Sequence, residues 1–346
     1  MTVRLIQGDC REKFVELAAE SIDAIVTDPP YGLGFMGKDW DRGVPGESFW
    51  RPLLRVAKPG AHLLAFGGSR VFHRLWCAIE DSGWEIRDTV LWLHGEGFPK
   101  SKNQRREWEG WGTQLKPAFE PIVLARKNFS GTVEDNLAKF RVGALNIGDC
   151  RVESGERPLI GSHSARPPDG FASSFDMGSG FRIGTTEVGR WPANVLHDGS
   201  DEVVAAFPVE AGAFAPVRRR GADKFRNSFG AFKGDIDEAG STFHGDSGSA
   251  ARFFWCPKAS RQDRNEGLEL ENFHPTVKPT ELMQYLVRLV TPKGGTVLDP
   301  FMGSGSTGKA CEREGMSFIG IDLDPAYLEI AKRRILGVAP LFANLI

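Results

Sequence analysis

The sequence predicts an α/β fold with a largely parallel sheet covered by helices on both faces. Three observations predict it. Short β-branched runs alternate with amphipathic stretches near both ends of the 346-residue chain. Two of those runs stop at unusual turns, Asp28-Pro29-Pro30-Tyr31 and the glycine-rich segment after Asp299. Between them the periodicity dissolves, which divides the chain into residues 1–127, a loop-rich insertion over 128–272, and residues 273–346.

The elements follow in order. Asp9 is placed to cap a helix over Arg11–Glu20, with Phe14, Leu17 and Ala18 on one face. Ile22–Thr27 reads as a buried strand. A helical stretch over Phe49–Ala57 ends at a turn, Lys58-Pro59-Gly60, before the strand Ala61–Phe66. Ser69 opens a helix that buries Val71, Phe72, Leu75, Trp76 and Ile79 and closes at Gly83. Ile86–Leu93 and Pro121–Arg126 read as strands. Ser162–Gly184 and Asn227–Ala251 are rich in Gly, Ser and Phe and read as loop. Regular structure returns with Thr280 capping Glu281–Val290. The strand Gly295–Leu298, a helix through Glu314, the strand Ser317–Ile321 and a helix from Pro325 complete the chain.

Composition excludes several classes. With 43 Lys+Arg against 45 Asp+Glu, net charge does not mark a nucleic-acid binder, so any such surface rests on local clustering. Five scattered cysteines without a C-x-x-C pair, and seven histidines without an i, i+4 pair, argue against a disulfide framework or a metal centre. No secretory leader or membrane-spanning run is evident, so a soluble, cytoplasmic protein is expected.

Asp28-Pro29-Pro30-Tyr31 carries the most chemistry. Two prolines remove two backbone N–H donors and fix φ, leaving a carboxylate, bare carbonyls and an aromatic face at a strand end. Such a set accepts hydrogen bonds from an exocyclic amino group while the ring stacks on the attached base.

The segment Asp299-Pro300-Phe301-Met302-Gly303-Ser304-Gly305-Ser306-Thr307-Gly308 reads as strand end, glycine turn and helix start, a geometry suited to a carboxylate or phosphate. Asp322, nineteen residues beyond Gly303, ends the next strand, where an acid can accept both hydroxyls of a ribose. Gly303, Gly305 and Gly308 with Asp322 also fit a nicotinamide dinucleotide site, so an oxidoreductase competes on this segment. Gly303 and Gly308-Lys309 approach a phosphate-binding Walker loop, but Ala310 stands where a magnesium-binding hydroxyl is needed. S-adenosylmethionine is the third candidate, and Asp299 as acceptor for its ammonium favours it.

Together, Asp28-Pro29-Pro30-Tyr31, His274-Pro275-Thr276-Val277-Lys278-Pro279 and Leu298-Asp299-Pro300-Phe301-Met302-Gly303-Ser304-Gly305 closely resemble motifs of the DNA amino-methyltransferases. The order resembles the beta class, in which the catalytic motif precedes the cofactor motif with target recognition between them. Asp rather than Ser before Pro-Pro-Tyr resembles the adenine-N6 members more than the cytosine-N4 ones. Ile6-Gln7-Gly8-Asp9-Cys10 is similar to that family's opening. Pieces such as Arg190-Trp191-Pro192-Ala193-Asn194-Val195-Leu196 and Arg252-Phe253-Phe254-Trp255-Cys256-Pro257-Lys258-Ala259-Ser260 resemble phage and prophage adenine methylases. Methylases of protein glutamine also use a Pro-Pro-Tyr turn, but after the cofactor loop. Here the turn lies about 270 residues before it.

The resemblance implies a class I S-adenosylmethionine-dependent methyltransferase sheet (Rossmann-like) in circularly permuted order, with 128–272 as target-recognition region. It implies direct methyl transfer to adenine N6 of a base flipped from double-stranded DNA, with Asp28, Pro29, Pro30 and Tyr31 catalytic. Asp9 and Cys10 would lie toward the adenine of the cofactor and His274, Thr276 and Lys278 toward its methionine. Asp299, Phe301, Gly303, Ser304, Gly305 and Asp322 would complete that site. Restriction-modification systems contain such enzymes, which leaves open a homodimer and a cognate restriction endonuclease. Phosphate contacts are expected from Lys100, Lys102, Arg105 and Arg106, and from Arg218, Arg219 and Arg220 with Lys224 and Arg226. The insertion itself is not basic, with 17 Lys+Arg against 21 Asp+Glu. Lys38, Phe35 and Trp40, just past the catalytic turn, are expected beside the flipped base.

Overall fold

The computed structural model describes residues 2–34, 41, 43–95, 97, 101–154, 157–161, 181–209, 226–227, 230–231, 249–254, 261–268, 272, 274 and 276–338. The strands are β1 (Val3–Gln7), β2 (Ile22–Thr27), β3 (Ala57–Phe66), β4 (Trp84–Leu93), β5 (Phe119–Lys127), β6 (Arg157–Gly161), β7 (Phe181–Thr186), β8 (Val195–His197), β9 (Arg226–Asn227), β10 (Gly230–Ala231), β11 (Thr296–Asp299) and β12 (Ser317–Asp322). The α-helices are α1 (Cys10–Lys13), α2 (Glu47–Trp50), α3 (Leu53–Val56), α4 (Phe72–Asp81), α5 (Val133–Phe140), α6 (Asp201–Ala205), α7 (Arg261–Asn265), α8 (Thr280–Val290), α9 (Ser306–Glu314) and α10 (Pro325–Val338).

Eight strands form one sheet in the order β1-β12-β11-β2-β3-β5-β4-β8. The strands from β1 to β3 in that order are parallel, β5 runs antiparallel to β3 and β4, and β8 is parallel to β4. All six residues of β2 are buried, as a strand covered on both faces requires. Alternation sorts the side chains. Ala24, Val26 and Val297 pack with α8, α9 and α10 through Leu282, Leu286, Ala310 and Ile335. Ile25 and Leu298 pack on the other face with Trp50, Leu53, Leu75 and Ile79.

The late strand β11 lies directly beside the early strand β2, with Val297 opposite Ala24 and Leu298 opposite Ile25. Asp28 and the glycine loop therefore leave the same edge of the sheet, where one strand feeds each direction of winding. The first residues of β5 share that edge, since Phe66 pairs Ile122 and the Gly67 N–H donates to Pro121 O.

Several local expectations are corrected. The helix capped by Asp9 stops at Lys13 and continues only as a 3-10 turn to Glu16, since Leu17 is extended and Glu20 takes φ +50°. Pro52, without an N–H, divides the expected 49–57 helix into α2 and α3. Lys58-Pro59-Gly60 is a bulge inside β3, not a turn before it: Ile22 pairs Ala57, yet Ala24 pairs His62. Val71, not Ser69, precedes α4 as its cap residue. Thr280 sits inside α8, and Pro279 is its cap residue.

The chain forms two compact units, 1–152 with 191–203 and 254–346, and 153–190 with 204–253. Residues 128–152 and 254–272, read from sequence as insertion, belong to the first unit. There the Asn136 side chain of α5 donates to Pro59 O and Val142 O, closing over the β3 bulge. In the second unit β6 and β7 form an antiparallel pair, and β9 and β10 another, where the sequence reads as loop. No helix among the described residues is long and apolar enough to cross a membrane.

Candidate functional site

The two chemistry-bearing segments are joined by hydrogen bonds at the shared sheet edge. Thr27, the last residue of β2, donates its hydroxyl to Asp299 Oδ1 at 2.6 Å across the β2–β11 seam. Thr307 donates to Asp299 Oδ2 at 2.6 Å, and the Phe301 N–H donates to Oδ1. Asp299, expected as acceptor for an ammonium, is only 2% exposed and has both oxygens engaged inside the loop it supports. Burial raises its pKa to about 7 against the pull of those donors.

One residue further, Asp28 lies in a charged cluster. Its Oδ1 accepts the Tyr31 hydroxyl at 2.8 Å, and its Oδ2 accepts Lys278 Nζ at 2.5 Å. Glu120 at the start of β5 faces both donors, 2.9 Å from the Tyr31 hydroxyl and 3.2 Å from Lys278 Nζ. Lys278, expected toward the methionine end of a cofactor, thus lodges its ammonium between two carboxylates and over the Phe66 ring, with its side chain 9% exposed. Burial works against that ammonium, but Asp28 and Glu120 hold its pKa above the ordinary value. Burial raises the Asp28 pKa, opposed by Lys278 and reinforced by Glu120. The Tyr31 ring lies against Gly68, where a Cβ would come within 3.1 Å of it. Asp41, itself buried, pins the following loop by accepting the Gly32 and Leu33 N–H groups.

The glycine loop bends where left-handed backbone is needed, at Gly303 (φ +51°) and Gly305 (φ +79°). A Cβ on Gly303 would stand 2.7 Å from His274 Nε2, so only glycine admits this close approach. Burial lowers the His274 pKa to about 4. Its Nδ1 accepts the Thr276 N–H, which leaves the proton of the neutral ring on Nε2, toward the loop. Asp322 at the end of β12 accepts the Gly303 N–H at 2.8 Å, and burial raises its pKa to about 6. Beneath the loop, the fully buried Arg334 of α10 donates to Ser304 O at 2.6 Å and Ser304 Oγ at 2.9 Å.

Asp9 and Cys10 follow β1, whose Gln7 pairs Asp322, and the Gly8 N–H donates to Asp322 O. They therefore border the acid at the end of β12. Asp9 caps α1 through the Arg11 N–H, and burial raises the Cys10 thiol to about 12. Phe301 packs on Phe49 and Trp50, and the Arg11 guanidinium lies over Phe49. Thr276 is exposed. Pro29 is buried and Pro30 half-buried.

Lys309, the lysine of the rival phosphate loop, is fully buried and paired to Asp263 at 2.6 Å and Glu266 at 2.8 Å. Its ammonium is thus engaged by carboxylates of the protein itself. Lys102 and Arg105 are exposed. Lys38, Trp40, Lys100, Arg218, Arg219 and Arg220 lie outside the described residues.

A family profile described as DNA methylase, of the N6/N4 type, matches residues 22–333. The chain belongs to the N6/N4 DNA methylase family. Among curated relatives it is 28% identical over 189 residues to "Type II methyltransferase M.HindIII" of Haemophilus influenzae, 38% of this chain and 60% of that protein. It is 47% identical over 62 residues to "Type II methyltransferase M2.DpnII" of Streptococcus pneumoniae, 18% of this chain and 23% of that one. The matches thus span less than two thirds of those relatives' own length. The solved structure of "PvuII DNA methyltransferase (cytosine-N4-specific)" superposes with a TM-score of 0.51 at 15% identity, over 97% of this chain and 87% of that one. The expected methyltransferase sheet is borne out by this shared fold.

Within this N6/N4 methylase three site residues escape a reading of the sequence. Glu120 carries one signal, a lone acid at the head of an apolar strand. Asp263 and Arg334 carry none, because their partners lie 17 to 71 positions away in the chain.

Proposed function

We propose that the chain is a site-specific DNA methyltransferase that modifies adenine N6 of a flipped-out base. One observation carries this reading: strand pairing of β2 with β11 sets the acid-and-proline turn beside the glycine loop. S-adenosylmethionine, when bound, supplies an electrophilic methyl group. The residues present fit it: the Gly303 bend approaches a neighbouring side chain more closely than any Cβ allows, and Asp322 keeps lone pairs for ribose hydroxyls beside that bend. Gly303, Ser304, Gly305, His274, Asp322 and the Asp9–Cys10 segment would hold it.

An adenine amino nitrogen is a poor nucleophile because its lone pair is delocalised into the ring. Asp28 and the Pro29 carbonyl accept its two N–H groups, draw it toward tetrahedral geometry and stabilise the positive charge that grows on it. The Tyr31 ring stacks on the base. As the new C–N bond replaces the methyl group's bond to sulfur, the nitrogen sheds one proton, and Asp28, its pKa raised by burial, stands beside that N–H. Net negative charge around Lys278, two carboxylates to one ammonium, favours a developing cation.

Double-stranded DNA is the substrate in this reading. Lys100, Lys102, Arg105, Arg218, Arg219 and Arg220 contact phosphates, Lys38 and Trp40 lie near the target base, and residues of the insertion read the sequence. Incubation with radiolabelled S-adenosylmethionine and mixed-sequence DNA, followed by nucleoside analysis, tests it. Label in N6-methyladenosine supports the assignment. Label in N4-methylcytosine moves the chain to the other branch of its family, and no label on any base rejects the activity.

A further inference from the structure

The segment 101–118 leads into β5, whose second residue, Glu120, meets the Tyr31 hydroxyl at 2.9 Å. It therefore ends at the candidate active site. Its own hydrogen bonds brace it as a hairpin. The Lys102 N–H donates to Thr113 Oγ1 at 3.0 Å, the Thr113 N–H to Ser101 Oγ at 2.9 Å, and the Gln104 N–H to Trp111 O at 2.9 Å. The tip is a 3-10 turn, Arg106–Trp108, with Arg106 at φ +59° and Gly110 at φ +88°.

This braced tip displays two large aromatic side chains to water. Trp108 is 53% exposed and Trp111 63%, with ring centroids 5.5 Å apart and planes at 88°. A pair of indoles more than half exposed on a hydrogen-bonded turn gives the fold little burial energy and marks a surface with another use. Lys102, Arg105 and Arg106 are exposed on the same hairpin, and no ion pair engages them among the described residues, while Glu107 and Glu109 share the tip. Exposed cations and exposed indoles on one hairpin suit a polyanion with exposed π-faces: phosphates meet the cations, and unstacked bases meet the rings.

We propose that the 101–118 hairpin is a DNA-engaging arm whose Trp108 and Trp111 stack on bases uncovered when the target leaves the duplex. The inference rests on the DNA methyltransferase reading and deepens it by naming the element that holds the opened duplex. The test compares the full wild-type chain with Trp108→Ala/Trp111→Ala and with Arg105→Gln/Arg106→Gln. Readouts are fluorescence anisotropy with single-stranded and duplex oligonucleotides, calorimetric titration with S-adenosylhomocysteine, and methylation of genomic DNA. The double tryptophan variant is expected to bind S-adenosylhomocysteine as wild type does, lose about tenfold or more in single-strand affinity, and raise KM for DNA. The arginine variant is expected to lower the salt slope of binding by about one to two. Wild-type kinetics and affinity in the tryptophan variant would overturn the arm and leave the enzyme assignment standing. Concentration-dependent self-association lost in that variant, with DNA binding intact, would overturn it in favour of a protein contact. A wild-type chain that binds S-adenosylhomocysteine but neither binds nor methylates DNA would instead remove the underlying reading.

Discussion

Glu120 Oε2 lies 2.9 Å from the Tyr31 hydroxyl, which also stands 2.8 Å from Asp28 Oδ1. The hydroxyl has one proton and two acceptors, so it can engage only one carboxylate as donor. Glu120 gives it a second place to go when an amino group claims Asp28. Glu120→Gln keeps an acceptor for the hydroxyl but removes a charge that raises the Asp28 pKa. The expected outcome is a fall in kcat of about tenfold, unchanged S-adenosylhomocysteine affinity, and an acid limb displaced to lower pH. A pH–rate profile with parallel calorimetry checks all three.

Lys278 neutralises Asp28 from 250 positions away. Lys278→Met leaves two half-buried carboxylates facing each other without a cation. Breaking a fully buried pair costs about 3–5 kcal/mol of stability, and the solvent access of these two carboxylates makes the loss here smaller. The Asp28 pKa rises further, since the charge that opposes burial is gone. Activity is therefore expected to fail first at low pH, with the acid limb moving up rather than down. Thermal denaturation and the same rate profile distinguish this from Glu120→Gln, whose limb moves the other way.

What is legible in the chain is local. Asp28-Pro29-Pro30-Tyr31 and the Gly303–Gly305 bend each follow a strand and Asp322 ends one, so strand, turn and acid can be read in one window. What is not legible depends on pairing across space. Glu120 acquires its place only when β5 turns antiparallel against β3, 89 residues from Tyr31. Asp299 has the residue type and strand-end position of a ligand acceptor. Thr27 and Thr307, which engage one of its oxygens each, come from two other elements. Lys58-Pro59-Gly60 has turn composition, yet the sheet absorbs it as a bulge under Asn136.

Asp299 makes stability depend on pH. Its folded pKa is about 7, above the unfolded value of about 3.8, so the folded state holds the proton longer. Its contribution is full below pH 3.8 and is lost as pH rises toward 7. Asp322, raised to about 6, acts in the same direction over a narrower window. Asp299→Asn removes the titration while keeping an acceptor for the Thr27 hydroxyl. The variant is expected to lose less stability than wild type between about pH 4 and pH 7. The difference amounts to a few kcal/mol, because each tenfold change in proton affinity is worth about 1.4 kcal/mol. Denaturant titrations at closely spaced pH values measure it. Curves for the two proteins that stay parallel across that range would remove Asp299 as the titrating group.

Lys309, in the position of a nucleotide-binding lysine, acts through Asp263. Its ammonium meets Asp263 Oδ1 at 2.6 Å, and the other Asp263 oxygen accepts the Thr280 N–H at 2.7 Å, so one carboxylate ties α9 to the start of α8. The Asp263 carbonyl also accepts Arg334, whose other nitrogen holds Ser304. Burial raises the Asp263 pKa, but Lys309 and Thr280 prevail and hold it low, so the acid is ionised and needs its cation. Lys309→Met is expected to cost about 3–5 kcal/mol and to weaken S-adenosylhomocysteine binding through the displaced Arg334. Adding Asp263→Asn removes the stranded charge while keeping an acceptor and donor at that place. The double variant should recover much of the stability, a coupling of roughly 1–3 kcal/mol in the thermodynamic cycle. ATP should bind neither wild type nor variant. Additive losses in the cycle, with cofactor affinity untouched by Lys309→Met, would show that this buried pair supports the helices alone and not the glycine loop.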